Sequence, residues 1–442
     1  MALTCVRHFK VFPSFGTFHP FHVRYCSGGK NSSRQCRQQF LSGVRIIDLT
    51  RILAGPYCTM ILADMGAEVI KVERPGCGDD TRTWGPPFRS SESTYFLSVN
   101  RNKKSIAVDI KTPEGKDLIR KLAQTSDVLV ENYLPGKLTE MGLGYSEMAK
   151  IAPHLIYCSI TGYGQSGPYA KRPGYDIIVA GIGGLINATG PKDGEPCKVG
   201  VAMTDLATGL YAHGAILAAL LTRQKTGKGQ FIDCNLLSTQ VASLVNLASN
   251  YLNAGLDATR HGTAHQSIVP YQAFSTSDGY LLVGANNDNQ FKALCKVLQA
   301  EDLYQDDRFK SNQKRVLNRD VLIKRLSEIF GEKTTDFWLE KMEGCNFSYG
   351  PINNLKQVFN DQQVKACGLI QEIDHPTIGK VRLPAPAVEY SCDEGRGDQP
   401  TAPPLLGQHT REILQDILSL SHEDIKSLLS KGIVECAALS DK

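Results

Sequence analysis

A strand–helix–strand unit between residues 44 and 73 constrains the fold more than any other part of the sequence. The strand-like segment VRIIDL at 44–49 is followed by a helix that extends through Met65, and residues 67–73 return as a second strand. Two strands joined by a short helical crossover lie parallel, with a right-handed connection. The pattern therefore predicts an α/β fold built on a Rossmann-like parallel sheet.

The alternation of strands and helices continues further along the chain. Strands are predicted at 103–109, 127–131 and 155–160, and a helix at 112–124. The carboxyl ends of parallel strands are where α/β proteins bind their ligands. We therefore expect functional residues in the turns that follow these strands.

Two features of this region bear on dinucleotide binding. Glu73 ends the second strand about where a Rossmann protein holds a ribose, but the first turn, TRILAGP at 50–56, lacks GxGxxG. A GxGxxG does occur at 162–167, yet it leads into Pro168 and not into a helix. We therefore expect no nicotinamide site, and we interpret 162–167 as a flexible loop near the active site.

Asp205 stands where a helix begins. Four leucines follow it at helical spacing: Leu206, Leu210, Leu217 and Leu221. Together with the small residues between them, they predict a helix that is buried along much of its surface. Free N–H groups at a helix start favour negative charge, so we expect the Asp205 carboxylate to be ionised. The alternative is that Asp205 is an ordinary N-cap or first-turn acid.

The character of the sequence changes after this helix, where a smaller α+β domain is indicated. Further strands are predicted at 230–235, 280–285 and 379–383, and helices at 237–252, 290–299, 319–342 and 409–431. The predicted organisation is a leader at 1–40, the first part of a large α/β domain at 41–240, a linker at 241–265, a small α+β domain at 266–350 and a return segment at 351–442.

The leader carries the excess positive charge of the chain. It contains six Lys or Arg residues and no Asp or Glu, which is typical of a mitochondrial transit peptide, so we expect a matrix protein. A merely disordered tail is the alternative. The remaining 43 basic residues are nearly balanced by 45 acidic ones, so the charge indicates no nucleic-acid partner. No apolar run approaches the ~20 residues that a membrane helix needs, so no membrane association is expected.

The cysteines give no sign of a metal site. There are 13 of them, but they form no CxxC pair and no tight cluster with histidine. We interpret them as scattered core thiols in a reducing compartment, and we expect neither a disulfide framework nor a bound metal.

Several blocks of the chain, in the same order, resemble the class III (family III) CoA-transferases and their relatives, the α-methylacyl-CoA racemases. They include LSGVRIIDLTRILAGPYCTMILADMGAEVIKVERPG, NRNKKSIAVDIKTPEGK, DVLVENYLPG, LIYCSITGYGQSGPY, TRQKTGKGQ and APPLLGQHT. The resemblance covers about residues 41 to 440. It implies that the return segment completes the large domain and that two chains interlock as a homodimer.

The resemblance also implies an activity. CoA would move from succinyl-CoA to a dicarboxylate such as glutarate or hydroxymethylglutarate, with CoA thioesters as substrates and no further cofactor. Asp205 would attack the acyl-CoA, forming first an anhydride and then an aspartyl-CoA thioester. An aspartate suits this exchange because its carboxylate can itself become an anhydride and then a thioester.

Other site residues follow from the same resemblance. Asp176 matches an acidic position that assists catalysis in formyl-CoA enzymes, although local hydrogen bonding is an equal alternative. Where the family often has an arginine, this chain has Glu140, which removes an expected cation from the phosphate site. The adenine and phosphates of CoA are expected to lie among Arg74, Val108, Lys111, Asn132 and Tyr133.

The acceptor site is expected in the linker, which faces the active site in relatives. Arg260, His261 and His265 would hold the second carboxylate of the acceptor, because cations pair well with such a group. Each of the three could instead be structural. Formyl-CoA enzymes have a run of glycines here and this chain has only Gly262, so a larger acceptor is implied.

Two other functions remain open at this point. Racemases of the superfamily use the histidine of a Gly-His-Asp motif, and this chain has Gly174-Tyr175-Asp176 instead. Tyrosine has a pKa near ~10 and is a poor base at neutral pH, which favours the transferase. A catalytically silent CoA-binding protein is the third possibility, and the presence of Asp205 argues against it.

Overall fold

The computed structural model describes residues 39–391 and 399–437, so residues 1–38 of the predicted leader lie outside the described residues. The strands of the described part are β1 (Arg45–Asp48), β2 (Glu68–Glu73), β3 (Phe88–Arg89), β4 (Glu92–Ser93), β5 (Lys103–Val108), β6 (Val128–Glu131), β7 (Ile156–Thr161), β8 (Phe231–Asn235), β9 (Tyr271–Ser275), β10 (Tyr280–Gly284), β11 (Ser348–Pro351), β12 (Ile370–His375), β13 (Gly379–Pro384) and β14 (Val434–Glu435).

The helices complete the description. They are α1 (Ala54–Asp64), α2 (Thr94–Ser98), α3 (Pro113–Gln124), α4 (Lys137–Glu140), α5 (Tyr145–Ile151), α6 (Asp176–Ile182), α7 (Leu185–Ala188), α8 (Met203–Thr226), α9 (Leu236–Ala242), α10 (Asn246–Ala254), α11 (Asp288–Val297), α12 (Glu301–Gln305), α13 (Asn312–Leu317), α14 (Arg319–Gly331), α15 (Thr335–Met342), α16 (Leu355–Asn360), α17 (Gln362–Ala366), α18 (Thr410–Glu412) and α19 (His422–Ser430). A 3₁₀ turn spans Asp80–Thr83, and a π-helical turn spans Ile413–Ile417.

The main sheet has seven strands in the order β14-β5-β2-β1-β6-β7-β8. Six of them run parallel, and β14, from the predicted return segment, pairs antiparallel with β5 at one edge. The predicted α/β fold with a parallel sheet is confirmed. The strand order places the carboxyl ends of β1, β2 and β6 side by side.

Both faces of this sheet are buried. Ile46 packs with α1 and α8 on one face, and the next residue, Ile47, packs with α3 and α5 on the other, because side chains alternate along a strand. Both side chains are fully inaccessible. Parallel strands that are covered on both sides carry adjacent apolar residues, which explains the consecutive isoleucines at 46 and 47.

Three smaller sheets are antiparallel. The sheet β11-β10-β9 packs its apolar face against α11, α14 and α15 around Phe274, Phe291 and Phe330. The pairs β12–β13 and β3–β4 form two-stranded sheets. The order of these elements along the chain is compatible with the predicted small domain, whose boundaries stay a prediction.

Helix α8 differs from its prediction in two respects. It begins at Met203, two residues before Asp205, and it buries only one side, through residues such as Ala212 and Ile216. Leu210 is 47% exposed and Leu221 is 62% exposed, so burial along much of the surface is wrong. The helix is apolar all round but packs on the sheet through one face, and leucine spacing alone cannot say which apolar face is covered.

The same helix bears on the expectation of no membrane. Within the described ranges, α8 is the one helix long and apolar enough to cross a bilayer by length and composition. It contacts β7, β8 and α1 in the core of the main sheet. One face of α8 is therefore packed within the folded domain.

Two further expectations need correction. The helix predicted at 237–252 is two helices, α9 and α10, because Val245 adopts a φ of 45°, which no right-handed helix allows. The predicted linker therefore contains α10. The description of the cysteines as core thiols holds for Cys58 but not for Cys197 and Cys367, which are exposed.

Two buried ion pairs join strands of the main sheet to one another and to the loop after β2. Lys71 of β2 lies 2.8 Å from Asp79, and Lys103 of β5 lies 3.1 Å from Asp48, with all four side chains fully inaccessible. The Lys71 ammonium also donates to the Thr50 carbonyl at 2.9 Å. Buried ions require a partner because their desolvation is costly, so the Lys71–Asp79 pair ties the loop after β2 to its strand, and the Lys103–Asp48 pair ties β5 to β1.

Breaking one of these pairs should destabilise the whole chain. We expect Asp79→Ala to lower the free energy of unfolding by about 3–5 kcal/mol, because it leaves the Lys71 ammonium buried without its nearest counter-ion. Urea titration followed by circular dichroism measures the loss. The control is Lys137→Ala, which breaks the solvent-exposed Lys137–Glu140 pair and should leave the unfolding midpoint unchanged. Equal midpoints for Asp79→Ala and the wild type would contradict this interpretation.

Candidate active site

The structure brings the two predicted catalytic carboxylates together. Asp205 is the third residue of α8, and Asp176 is the first residue of α6. One oxygen of Asp176, Oδ1, accepts hydrogen bonds from the backbone N–H of Thr204 at 2.9 Å and of Asp205 at 3.1 Å. Asp176 thus supplies the cap at the start of α8, where no side chain of the helix's own N-cap residue does so.

This geometry changes the expected ionisation of Asp205. Its carboxylate sits partly buried, and burial together with the negative charge of Asp176 raises its pKa to about 7. The expectation that the helix start keeps Asp205 ionised is therefore wrong below neutral pH. The physical reason is that the first amides of the helix are already directed at Asp176, while apolar neighbours withdraw water from Asp205.

Local packing holds the two acids in place. The segment between β7 and α6 folds back so closely that a Cβ on Gly174 would lie 2.7 Å from the Cα of Gly162. On the other side, the Thr204 hydroxyl donates to Gln240 of α9 at 2.8 Å. Asp176 and the start of α8 are therefore held from both flanking segments.

An apolar and aromatic cluster lies around the start of α8. Leu206 packs against a cluster formed by Leu53, Met60 and Val99, together with Ile52, Tyr57 and Tyr95. Burial and the charges of Asp205 and Asp176 raise the pKa of Tyr95, so its hydroxyl stays protonated near the two carboxylates. Sequence reasoning missed Tyr95, because nothing in its local pattern relates it to Asp176 and Asp205, which lie far along the chain.

A wide cleft opens beside this apolar and aromatic cluster. Its volume is about 1460 Å³, and Leu206 and Leu210 of α8 line it together with Tyr57 of α1. Arg101 and Lys104 also line it, and both are paired with acids, Arg101 with Asp64 and Lys104 with Glu68 and Glu412. The residue that follows Asp205 therefore faces a space large enough for an extended ligand.

The predicted loop at 162–167 is confirmed as a loop. The backbone N–H of Gln165 donates to Asp233 at 3.0 Å, and its side-chain amide donates to the Ser159 hydroxyl at 2.8 Å. Ser159 in turn hydrogen-bonds Glu131, whose burial raises its pKa to about 7. Glu131 also accepts from the backbone N–H of Tyr133 at 2.8 Å, so one polar chain links the loop to the turn after β6.

The predicted CoA-binding residues divide into two groups. Asn132 and Tyr133 lie at the carboxyl end of β6, where they contact Arg51 from the loop after β1. Arg74 and Lys111 are exposed at the ends of neighbouring strands. Burial of Tyr133 raises the pKa of its hydroxyl.

Val108 and Glu140, two positions considered for CoA binding, make contacts within the protein. The Val108 side chain is 1% exposed in the core between β5 and β14, so any ligand contact there falls to its main chain. Glu140 pairs with Lys137 at 2.8 Å on the surface of α4. The acid at this position therefore also neutralises a nearby lysine.

The three predicted acceptor residues lie in one region but differ in their contacts. Arg260 donates to the carbonyls of Gly194 and Asn187, each at 3.1 Å, and so holds the turn after α7. His265 stacks on Tyr271 with ring centroids 5.5 Å apart. For His261, burial and the positive charges of Arg319, Lys192 and His265 lower the pKa. No described contact joins these residues to Asp205.

Among residues 39–391 and 399–437, no group of three or more His, Cys, Asp or Glu side chains is placed to hold a metal ion. Glu73, at the position where a Rossmann protein binds ribose, is committed to Arg82 at 2.6 Å and to Ser105 at 2.7 Å. Its carboxylate is therefore used within the protein.

The parallel sheet and the paired carboxylates define an α/β enzyme with an acidic centre at the start of a core helix. The chain belongs to CoA-transferase family III, whose sequence profile matches residues 41–410. The predicted resemblance is confirmed.

Individual relatives agree with this assignment. Succinyl-CoA:glutarate CoA-transferases from Mus musculus and Homo sapiens are each 59% identical over 395 residues, which covers 89% of this chain and 90% of each relative. The succinate–glutarate CoA-transferase of Agrobacterium fabrum is 42% identical, covering 86% of this chain and 96% of that protein. A solved CAIB/BAIF family protein from Brucella suis has a TM-score of 0.78 and 42% identity, covering 86% of this chain and all of its own.

The raised pKa of Asp205 predicts a pH dependence. With a pKa of about 7, roughly a tenth of the free enzyme carries an ionised Asp205 at pH 6 and most of it does at pH 8. If the ionised form reacts, kcat/KM should rise with pH through about 7. Asp176→Asn removes the neighbouring charge but keeps an oxygen that can accept both backbone hydrogen bonds, so the rise should move to lower pH.

The measurement is the pH profile of kcat/KM for the wild type and for Asp176→Asn. The conservative change leaves burial intact, so only part of the shift should be lost. A rise at the same pH in both proteins would show that Asp176 does not set the ionisation of Asp205.

Proposed function

We propose that the protein transfers CoA from succinyl-CoA to glutarate, in the mitochondrial matrix, through a covalent intermediate on Asp205. The observation that carries the proposal is the placement of Asp205 at the start of α8 beside the Asp176 carboxylate. The relatives named for this reaction, at 59% identity over 89% of the chain, support the choice of substrates. Hydroxymethylglutarate is a second candidate acceptor from the sequence resemblance.

The reaction begins on the donor. An oxygen of Asp205 attacks the succinyl carbonyl, forms a succinyl–aspartyl anhydride and releases CoA thiolate. The thiolate then attacks the aspartyl carbonyl, which releases succinate and leaves an aspartyl-CoA thioester. Each step exchanges an acyl group between a carboxylate and a thiolate, so electrons and atoms balance without a redox partner.

The acceptor reverses the sequence. A glutarate oxygen attacks the aspartyl-CoA carbonyl and forms a glutaryl–aspartyl anhydride with release of the thiolate. The thiolate attacks the glutaryl carbonyl, and Asp205 leaves as a carboxylate. The apolar wall around Leu206 and Tyr57 limits water, which would otherwise hydrolyse both intermediates.

Asp176 acts in this scheme mainly by position. Its hydrogen bonds to the first amides of α8 fix the backbone of Asp205 and so the direction of attack. Its negative charge disfavours a second charge on Asp205 in the free enzyme, and a carboxylate of higher pKa is the stronger nucleophile once ionised. The Tyr95 hydroxyl, protonated close to both acids, is available as a hydrogen-bond donor.

Binding is assigned to two regions. Arg74, Lys111, Asn132 and Tyr133 hold the nucleotide part of CoA at the carboxyl ends of the strands, and the Val108 main chain contributes beside them. The ring N–H groups of His261 and His265 donate hydrogen bonds to the free carboxylate of the acceptor. Arg260 supports them by holding the turn after α7 through two carbonyls.

A homodimer is part of the proposal. Large apolar side chains are exposed on α6, α9 and α10, among them Ile178, Val241, Tyr251 and Leu252, and Leu252 is 78% exposed. Exposed apolar surface of this extent marks an interaction site. Light scattering of the purified chain should give twice the chain mass, and a single-chain mass would contradict the dimer.

The activity itself is tested by mixing the protein with succinyl-CoA and glutarate and measuring glutaryl-CoA. We expect turnover in the wild type and a loss on the order of a thousandfold or more in Asp205→Asn, because the amide cannot form the anhydride. The matched control is Asp336→Asn, which changes an exposed first-turn acid of α15 and should retain full activity.

Other outcomes would point elsewhere. Exchange of the proton next to the thioester carbonyl, without acyl transfer, would favour a racemase, for which Tyr175 would have to be the second base. Tight CoA binding with neither reaction would favour a silent binding protein. Full transferase activity in Asp205→Asn would overturn the proposed nucleophile.

A further inference from the structure

Arg51 occupies a position that neither the resemblance nor the sequence pattern assigns. It follows β1, and its backbone is locked to Asn132 by two hydrogen bonds, from the Arg51 N–H at 3.1 Å and to the Arg51 carbonyl at 2.8 Å. Its guanidinium lies 5.6 Å from the centroid of the Tyr133 ring. Arg51 is therefore built into the same strand-end turn as two of the proposed CoA-binding residues.

The guanidinium is held but not buried. It pairs with Asp80 at 2.8 Å, and the side chains of Arg51 and Asp80 are 45% and 48% exposed. Asp80 also lies within electrostatic range of Arg74, so one carboxylate stands between two arginines. Exposed ion pairs of this kind are weak, and a ligand of higher negative charge can replace the acid.

The position where the family often has an arginine carries an acid in this chain. Glu140 stands where the family often has an arginine, and it already binds Lys137. On the α4 side of the turn after β6, Glu140 is paired with Lys137, while Arg51 presents a planar guanidinium on the β1 side. Arginine suits a phosphate because its planar donors can bind two oxygens at once.

We propose that Arg51 is a further CoA-binding residue, which leaves Asp80 and pairs with a phosphate group of the bound CoA thioester. The inference rests on the proposed function, because it takes a CoA thioester as the ligand. Tyr133 keeps the guanidinium oriented during the exchange, and the Asn132 contacts keep the Arg51 backbone fixed. Asp80 occupies the Arg51 guanidinium, so that anions of lower charge do not replace it.

The experiment is calorimetric binding of CoA to the full chain, with kinetics of succinyl-CoA in parallel. Loss of a charge-assisted hydrogen bond costs about 1.5–3 kcal/mol, so Arg51→Ala should weaken CoA binding by about ten- to a hundredfold. KM for succinyl-CoA should rise while kcat changes little. Asp80→Asn removes the competing acid and should tighten CoA binding several-fold.

Dephospho-CoA identifies which phosphate is bound. If Arg51 binds the 3′-phosphate, Arg51→Ala weakens CoA binding but leaves dephospho-CoA binding unchanged. If Arg51 binds the diphosphate, the binding of both ligands weakens. Arg308→Ala is the matched control, because Arg308 is a similarly exposed arginine paired with a single acid, Asp306. It should bind CoA as the wild type does.

The inference and the proposed function fail in different ways. A wild type that binds CoA with an Arg51→Ala variant of equal affinity would overturn the role of Arg51 alone. A wild type that binds no CoA would overturn the proposed function. Because Arg51→Ala could disturb the turn, Asp80→Asn serves as an independent test, and weaker CoA binding in that variant would also contradict the proposal.

Discussion

The two hydrogen bonds that Asp176 accepts from the first amides of α8 are the interaction on which the candidate site depends. They join α6 to α8 and place two carboxylates side by side, which is unfavourable unless one of them is stabilised. The positive end of the helix stabilises Asp176. Asp205 receives no such compensation, and burial together with the charge of Asp176 raises its pKa. The helix amides thus face one of the two carboxylates and leave the other to its partly buried surroundings.

Buried charges hold the loop that carries Arg51 on the phosphate side of the site. Asp79, in the loop after β2 and paired with Lys71, also accepts from the backbone N–H of Ile52 at 3.2 Å. Ile52 has a φ of 75°, an unusual conformation for a branched residue, and this contact helps to hold it. The preceding residue, Arg51, is thereby turned outward toward Tyr133. A fully buried ion pair therefore fixes the orientation of an exposed arginine at the ligand edge.

Much of the fold could be predicted from local sequence, because strands buried on both faces show as apolar runs and short crossovers force parallel pairing. The boundaries of β1, β2 and β5 agree with prediction to within about two residues, the usual uncertainty of such limits. The break at Val245 could not be predicted, since no glycine or proline marks it. The exposure of one face of α8 could not be predicted either. An apolar helix face has the same sequence pattern whether the sheet, a second copy or solvent covers it.

The candidate site was predictable in part. Asp205 followed from its helix start together with the family blocks, and Asp176 followed from the resemblance alone. Their contact spans 29 positions in sequence and depends on the close approach of Gly162 and Gly174, which only tertiary structure reveals. Arg51 and Tyr95 carry no local signal for the same reason. Their neighbours come from other strands and helices.

The most direct test of the account follows one oxygen atom. With glutarate labelled with oxygen-18 in its carboxylates, the mechanism passes a labelled oxygen to the Asp205 carboxylate when the glutaryl anhydride is cleaved. Mass spectrometry of the peptide containing residue 205 should show one heavy oxygen on that side chain after a single turnover, and at least one after several. Glutaryl-CoA that accumulates while Asp205 stays unlabelled would contradict the covalent mechanism, because direct attack of glutarate on succinyl-CoA would carry the label to succinate and leave the enzyme unchanged.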